Sequence, residues 1–92
     1  MNKPLNEDGN PYLTGPEIAE KWLRYLKDYP SDRKDHFESF TLQCRLMLDD
    51  NYERPLIHGA FRILERRGLI RRVSRGRYKL TISGSEHVRK MI

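Results

Sequence analysis

Cysteine is almost absent: Cys44 is the only one in 92 residues, so no internal disulfide can form and the fold must rest on packing. No apolar run approaches the length of a membrane span or of a signal-peptide hydrophobic region, which speaks against a membrane partner. His36, His58 and His87 are scattered, with neither a CxxC nor an HxxxH spacing, so neither a metal site nor a cofactor is expected. There is no glycine-rich phosphate loop and no GxSxG elbow, and the only adjacent carboxylates are Asp49 and Asp50, in an apparent turn. Cys44, beside Met47 and Leu48, reads as a buried core thiol rather than a nucleophile. Together these absences argue against an enzyme and for a soluble protein of a reducing, cytoplasmic compartment.

What the chain has in abundance is unevenly placed charge. Residues 1–53 carry seven Lys or Arg against eleven Asp or Glu, whereas residues 54–79 carry nine against one. The stretch from Gly68 to Thr81 holds Arg71, Arg72, Arg75, Arg77 and Lys79 and no acid. Cations gathered this closely repel one another unless a partner or counterions neutralise them, so one side of the domain is expected to face a polyanion. At 11.0 kDa the chain fits one domain, of a size at which a single core stabilises modestly and a dimer would help.

Residues 1–13, with two Pro, a Gly and three Asn and no periodicity, read as a flexible arm preceding a single domain over 14–92. Thr14-Gly15-Pro16-Glu17 has the spacing of a capping box and predicts a helix, with Ile18, Trp22, Tyr25, Leu26 and Tyr29 on one face. A second helix is predicted over 36–49, its core face formed by Phe37, Phe40, Cys44, Met47 and Leu48. Leu42 and Leu46 then lie opposite, against a neighbour or as a protein interface. A third helix is predicted from Pro55 to Arg67, ended by Gly68. Its core face is Ile57, Ala60, Phe61 and Leu64, and its outer stripe Pro55, Gly59, Arg62 and Arg66, flanked by His58. Gly59 costs about 1 kcal/mol of helix propensity relative to Ala, a cost understandable if a ligand approaches the backbone closely, although a plain surface glycine is equally compatible.

Ile70–Val73 and Tyr78–Ile82 then read as two strands of a hairpin around Ser74-Arg75-Gly76-Arg77, with Gly76 able to take positive φ. Tyr78, Leu80 and Ile82 should point inward and Arg77, Lys79 and Thr81 outward. The three-residue spacing of Ile70 and Val73 predicts an irregularity near Arg71 or Arg72. Ser83–Ile92 is predicted as a short final helix packing back through Val88 and Met91 or Ile92.

The resulting fold class is mainly α with a small β-hairpin. Leu64-Glu65-Arg66-Arg67-Gly68-Leu69-Ile70, followed by Arg75-Gly76-Arg77 and Tyr78-Lys79-Leu80-Thr81, resembles the winged helix-turn-helix domains of bacterial transcription regulators of the MarR and PadR type, over roughly residues 37–84. The resemblance implies three helices, a two-stranded wing and a short C-terminal helix. It implies that the third helix enters the major groove of double-stranded DNA, with Arg62 and Arg66 on guanine edges or phosphates and Arg54, His58 and Gly59 beside them. Arg71, Arg72, Arg75, Gly76, Arg77 and Lys79 would form the basic wing against backbone or minor groove.

The chain departs from that pattern in four ways. The predicted second helix is longer than usual, Asp49, Asp50 and Glu53 fall where phosphate would lie, the third helix lacks an opening Ser or Thr, and the chain stops soon after the wing. A homodimer would therefore use the first helix, Leu42 and Leu46, or the tail. The rival expectation is a protein-binding winged helix, an adaptor or an inhibitor of the kind phages and mobile elements carry. It would set the basic wing, or Leu42 and Leu46, against an acidic or apolar protein surface. Nonspecific RNA binding is a third reading, though no aromatic platform for bases is evident.

Overall fold

The capping box forms as its spacing requires. In the computed structural model, which describes residues 4–91, the amide of Glu17 donates to Thr14 Oγ1 at 3.4 Å and the amide of Thr14 donates back to Glu17 Oε1 at 3.0 Å. Such a cap is worth about 1 kcal/mol and starts helix α1 (Gly15–Asp28). Ile18, Ala19, Trp22, Leu23 and Leu26 are buried, while Tyr25 is half-buried and Tyr29, beyond the helix end, is exposed. Residues 1–3 of the expected arm and Ile92 lie outside the described residues. Residues 4–13 fold back on the domain: a turn closes between Asn6 and Asn10, and the Leu13 amide donates to Glu53 Oε2 at 2.7 Å.

After a 3-10 turn (Pro30–Lys34), Phe37 leaves helical geometry and pairs with Tyr78. Its amide donates to the Tyr78 carbonyl at 2.7 Å and its carbonyl accepts the Tyr78 amide at 2.8 Å. Helix α2 (Ser39–Leu46) is consequently shorter than the predicted 36–49, and it ends where Met47 enters the left-handed region at φ 54°. Its faces are the reverse of those expected. Leu42 and Leu46 are buried in the core, whereas Phe40 is 68% exposed, Met47 is 87% exposed and Cys44 is exposed. The cause is length. Phe37 and Leu48 are buried, but as residues outside the helix, so their apolarity says nothing about which side of α2 faces inward.

A 3-10 turn (Arg54–Leu56) leads into α3 (Ile57–Arg66), so the predicted helix from Pro55 splits into a tighter entry and a regular body. Ile57, Ala60, Phe61 and Leu64 are buried as their spacing predicts. Gly68 ends the element at φ 74°: its amide donates to the Glu65 carbonyl and that of Leu69 to the Leu64 carbonyl, both at 3.0 Å. This cap sends the chain directly into strand β1 (Ile70–Ser74), antiparallel to β2 (Arg77–Leu80).

The register pairs Ile70 with Leu80, Arg71 with Lys79, Arg72 with Tyr78 and Ser74 with Arg77. Val73 is left as the extra residue of a bulge, just past the predicted site, and Arg75-Gly76 makes the turn with Gly76 at φ 73°. The return strand ends earlier than predicted. Thr81 accepts the Gly84 amide at 2.9 Å and caps α4 (Ile82–Lys90), so Ile82 becomes the first helical residue and is 84% exposed rather than inward. A Cβ at Gly84 would stand 1.9 Å from the Leu69 carbonyl oxygen, and that backbone contact requires glycine where α4 crosses the sheet.

Trp22 lies at the centre of the aromatic packing. It packs edge-on to Phe37 at 5.2 Å and to Phe61 at 5.4 Å, and Phe61 stacks on Tyr78 at 4.6 Å. Residues from α1, the Phe37 bridge, α3 and the hairpin thus share one core, which fixes the hairpin rigidly against α3. The chain is mainly helical with a two-stranded antiparallel sheet, and among the described residues no helix is long and apolar enough to cross a membrane.

Candidate functional site

Helix α3 buries its apolar face in the Trp22 core, and the geometry of an α-helix then forces the opposite stripe outward. His58, Gly59, Arg62 and Arg66 are all exposed, as is Arg67 at the helix end. A Cβ at Gly59 would meet nothing within 4 Å, so no internal contact demands the glycine and the backbone there is open to approach from outside. The hairpin follows the same logic. Ile70 and Leu80 turn into the core and Tyr78 lies on Phe61, leaving Arg71 and Lys79 as a cross-strand pair on the other face. Arg72, on the core-side face but nearer the tip, is exposed, and its Nε reaches the Ser74 carbonyl at 3.4 Å. Arg75 and Arg77 are exposed at the tip, Gly76 half-exposed between them.

The electrostatics of this surface follow from what its cations do not touch. Ion pairs join Arg24 to Glu20, Arg45 to Asp32 and Asp35, and Arg54 to Asp50. Among the described residues no ion pair reaches Arg62, Arg66, Arg67, Arg71, Arg72, Arg75, Arg77 or Lys79. Arg71 and Lys79 even stand directly opposite each other, an arrangement of like charges that destabilises a sheet unless something external compensates. What the arrangement offers chemically is a set of exposed cationic donors on two elements that pack against each other.

Arg54, Leu42, Leu46 and Lys79 stand apart from this stripe. Arg54 is tied to Asp50 at 2.8 Å, and that hydrogen bond, with one from Gln43, holds the Asp50 carboxyl below the usual carboxylate range. It is a strut of the turn before α3 rather than a free flank of the stripe. Leu42 and Leu46, expected as an interface, are core residues and unavailable to a partner. Lys79 is half-buried and turned away from α3 into a separate cleft.

The acids of that turn are also engaged. Asp49 Oδ2 accepts the amides of Asn51 at 2.9 Å and Tyr52 at 2.7 Å, and Glu53, only 8% exposed, accepts those of Leu13 and Asp49. Tyr12 stacks on Tyr52 at 4.5 Å, pinning residues 11–13 to the same turn. Burial chiefly, with the nearby Asp49 and Glu53 carboxylates, pushes the Tyr12 hydroxyl up. Arg67, which the outward stripe of the sequence does not include, joins the unpaired cations from the C-cap of α3.

These features define a small, mainly helical protein bearing an unpaired cationic surface on one helix and its following hairpin. No known protein family, curated protein or solved structure matches the chain. Among the described residues there is no group of three or more His, Cys, Asp or Glu side chains that could hold a metal ion.

Proposed function

We propose that the protein is a winged helix that binds double-stranded DNA and regulates transcription, with α3 in the major groove and the β1–β2 hairpin as the wing. The observation that carries this reading is the set of exposed arginines without ion-pair partners, Arg62, Arg66, Arg71, Arg72, Arg75 and Arg77, on two elements locked together by the Phe61–Tyr78 stack. Neutralising phosphates with these groups releases counterions, which supplies the driving force that the clustered charge otherwise opposes. The element order supports the same reading: a single bridging residue after α1, then two helices, then a hairpin whose second strand lies between the first and Phe37. The turn before α3 weighs less against DNA than its composition suggests, because Asp50 is neutralised by Arg54 and Glu53 is buried.

The test is a titration of fluorescent duplex DNA at several salt concentrations, with an Arg62→Ala/Arg75→Ala variant alongside. The expected result is an affinity whose logarithm falls linearly with log salt, with a slope of about three to six phosphates, reduced in the variant. Absence of binding at low salt would sink the proposal. A second reading, a protein-binding module, is favoured by the exposed Phe40 and Cys44 on the outer side of α2 and the exposed Met47 just past its end.

A further inference from the structure

A cleft of about 410 Å³ opens between the 3-10 turn Pro30–Lys34, the end of β2 and one side of α4. We propose that it binds a phosphoryl-class oxyanion. Four cations from three separated stretches of chain line it: Arg33 and Lys34, Lys79, and Arg89. Glu86 is the one acid on its wall, yet among the described residues none of the four cations forms an ion pair, with Glu86 or with any other carboxylate. Four positive charges against one negative, converging on a concavity in the size range of small-ligand sites, focus a positive potential that a multiply charged anion relieves.

The walls are held in place before any ligand arrives. Arg33 Nε donates to the Leu26 carbonyl at 2.9 Å, fixing the guanidinium at the end of α1. Thr81 at the floor donates to the Gly68 carbonyl at 2.7 Å while accepting the Gly84 amide. Beside the cations stands Ile82, 84% exposed, an apolar contact for whatever body carries the anionic group. A guanidinium and an ammonium in one site suit the tetrahedral, multidentate oxygens of phosphate better than a single carboxylate. This inference stands apart from the DNA reading, since Lys79 faces away from α3 and the other cations lie outside α3 and the hairpin. The phosphoryl group can belong to a free phosphorylated small molecule or to a nucleic-acid backbone.

Amide-resolved NMR with pyrophosphate, against chloride at matched ionic strength, tests the site. The expected result is saturable shifts confined to residues 33–34 and 79–89, complete at about millimolar concentrations. A Lys79→Gln/Arg89→Gln variant should weaken binding at least about tenfold, equivalent to about 1.4 kcal/mol, with its melting temperature unchanged. Arg62→Gln/Arg66→Gln should leave it unaltered. Shifts that fail to saturate, that chloride reproduces, or that survive in the Lys79/Arg89 variant would overturn the proposal. A short duplex separates the sources: competition between pyrophosphate and duplex, with both weakened by the cleft variant, assigns the phosphate to a backbone. Pyrophosphate binding without effect on duplex affinity, or without any duplex affinity, assigns it to a free ligand.

Discussion

Arg45, in the acidic half of the chain, stands 2.6 Å from Asp32 and 3.3 Å from Asp35, and Tyr25 donates its hydroxyl to the same Asp32. Arg62, in the basic half, stands on an equally regular helix with no carboxylate paired to it among the described residues. The difference separates two uses of charge. Around Asp32, Asp35 and Asp50, charges close on one another and hold loops to helices. Along α3 and the hairpin they are left open, at a cost in mutual repulsion that the proposed DNA partner would offset. Charge alteration in the first region should therefore affect folding, and in the second, binding.

The largest effect is expected from the open region. Arg62→Glu with Arg75→Glu should weaken duplex DNA binding at least about a hundredfold at low salt, since each reversal removes a contact worth about 1–3 kcal/mol or adds repulsion. The urea midpoint should not move. Unchanged affinity by fluorescence anisotropy would break the comparison at its functional end.

Next comes Glu53, whose carboxylate accepts the half-buried amides of Leu13 and Asp49 and so joins residues 11–13 to the Asp49 turn. Glu53→Ala should destabilise by about 1–3 kcal/mol, because two amides lose their acceptor, while DNA affinity of the folded fraction stays unchanged. Denaturant titration followed by binding at saturating protein distinguishes the two.

A smaller change is expected at low pH. The Tyr25 hydroxyl first, and Arg45 with it, hold the Asp32 carboxyl below the usual carboxylate range. A depressed pKa contributes stability that is present at neutral pH and lost as pH falls below about 4 through the folded-state value. The wild type should thus lose more of its urea midpoint between neutral and acid pH than Asp32→Asn, and parallel pH profiles would remove Asp32 from the stabilising cluster.

The smallest effect sharpens the boundary between regions. Asp50→Asn frees Arg54 beside α3 and removes a negative charge, so duplex affinity should rise by about twofold to fivefold, consistent with one added phosphate contact. A fall in affinity would show that the pair positions α3 rather than merely withholding a cation.

Elements ruled by near neighbours were legible in the chain. Thr14 and Glu17 specify a helix start because both partners of the cap lie within four residues. The Ile57, Ala60, Phe61, Leu64 periodicity specifies the inner face of α3, and with it the outward stripe of Arg62 and Arg66. Gly76 specifies the hairpin turn through its φ. At α2 the same reasoning inverted the faces, because the apolar residues at 37 and 48 were counted as helical. Leu42→Ala should cost about 2–5 kcal/mol of stability and Phe40→Ala little, a direct measure of that inversion. The alternation through Tyr78, Leu80 and Ile82 ran on two residues too far, since a Thr that caps a helix looks, in sequence, like a Thr in a strand.

The sequence by itself therefore determined the start of α1, the inner face of α3, the hairpin and the uneven placing of charge, all of which depend on residues near one another in the chain. Only the tertiary structure decided that Phe37 would bridge to Tyr78 and that Leu42 and Leu46 would be core. It alone decided that Arg54 would be spoken for by Asp50 while the hairpin arginines stayed open, and that Arg33, Lys79 and Arg89 would share one cleft. Burial and charge pairing are set by which distant segments pack together, and that choice belongs to the whole core rather than to any stretch of the chain.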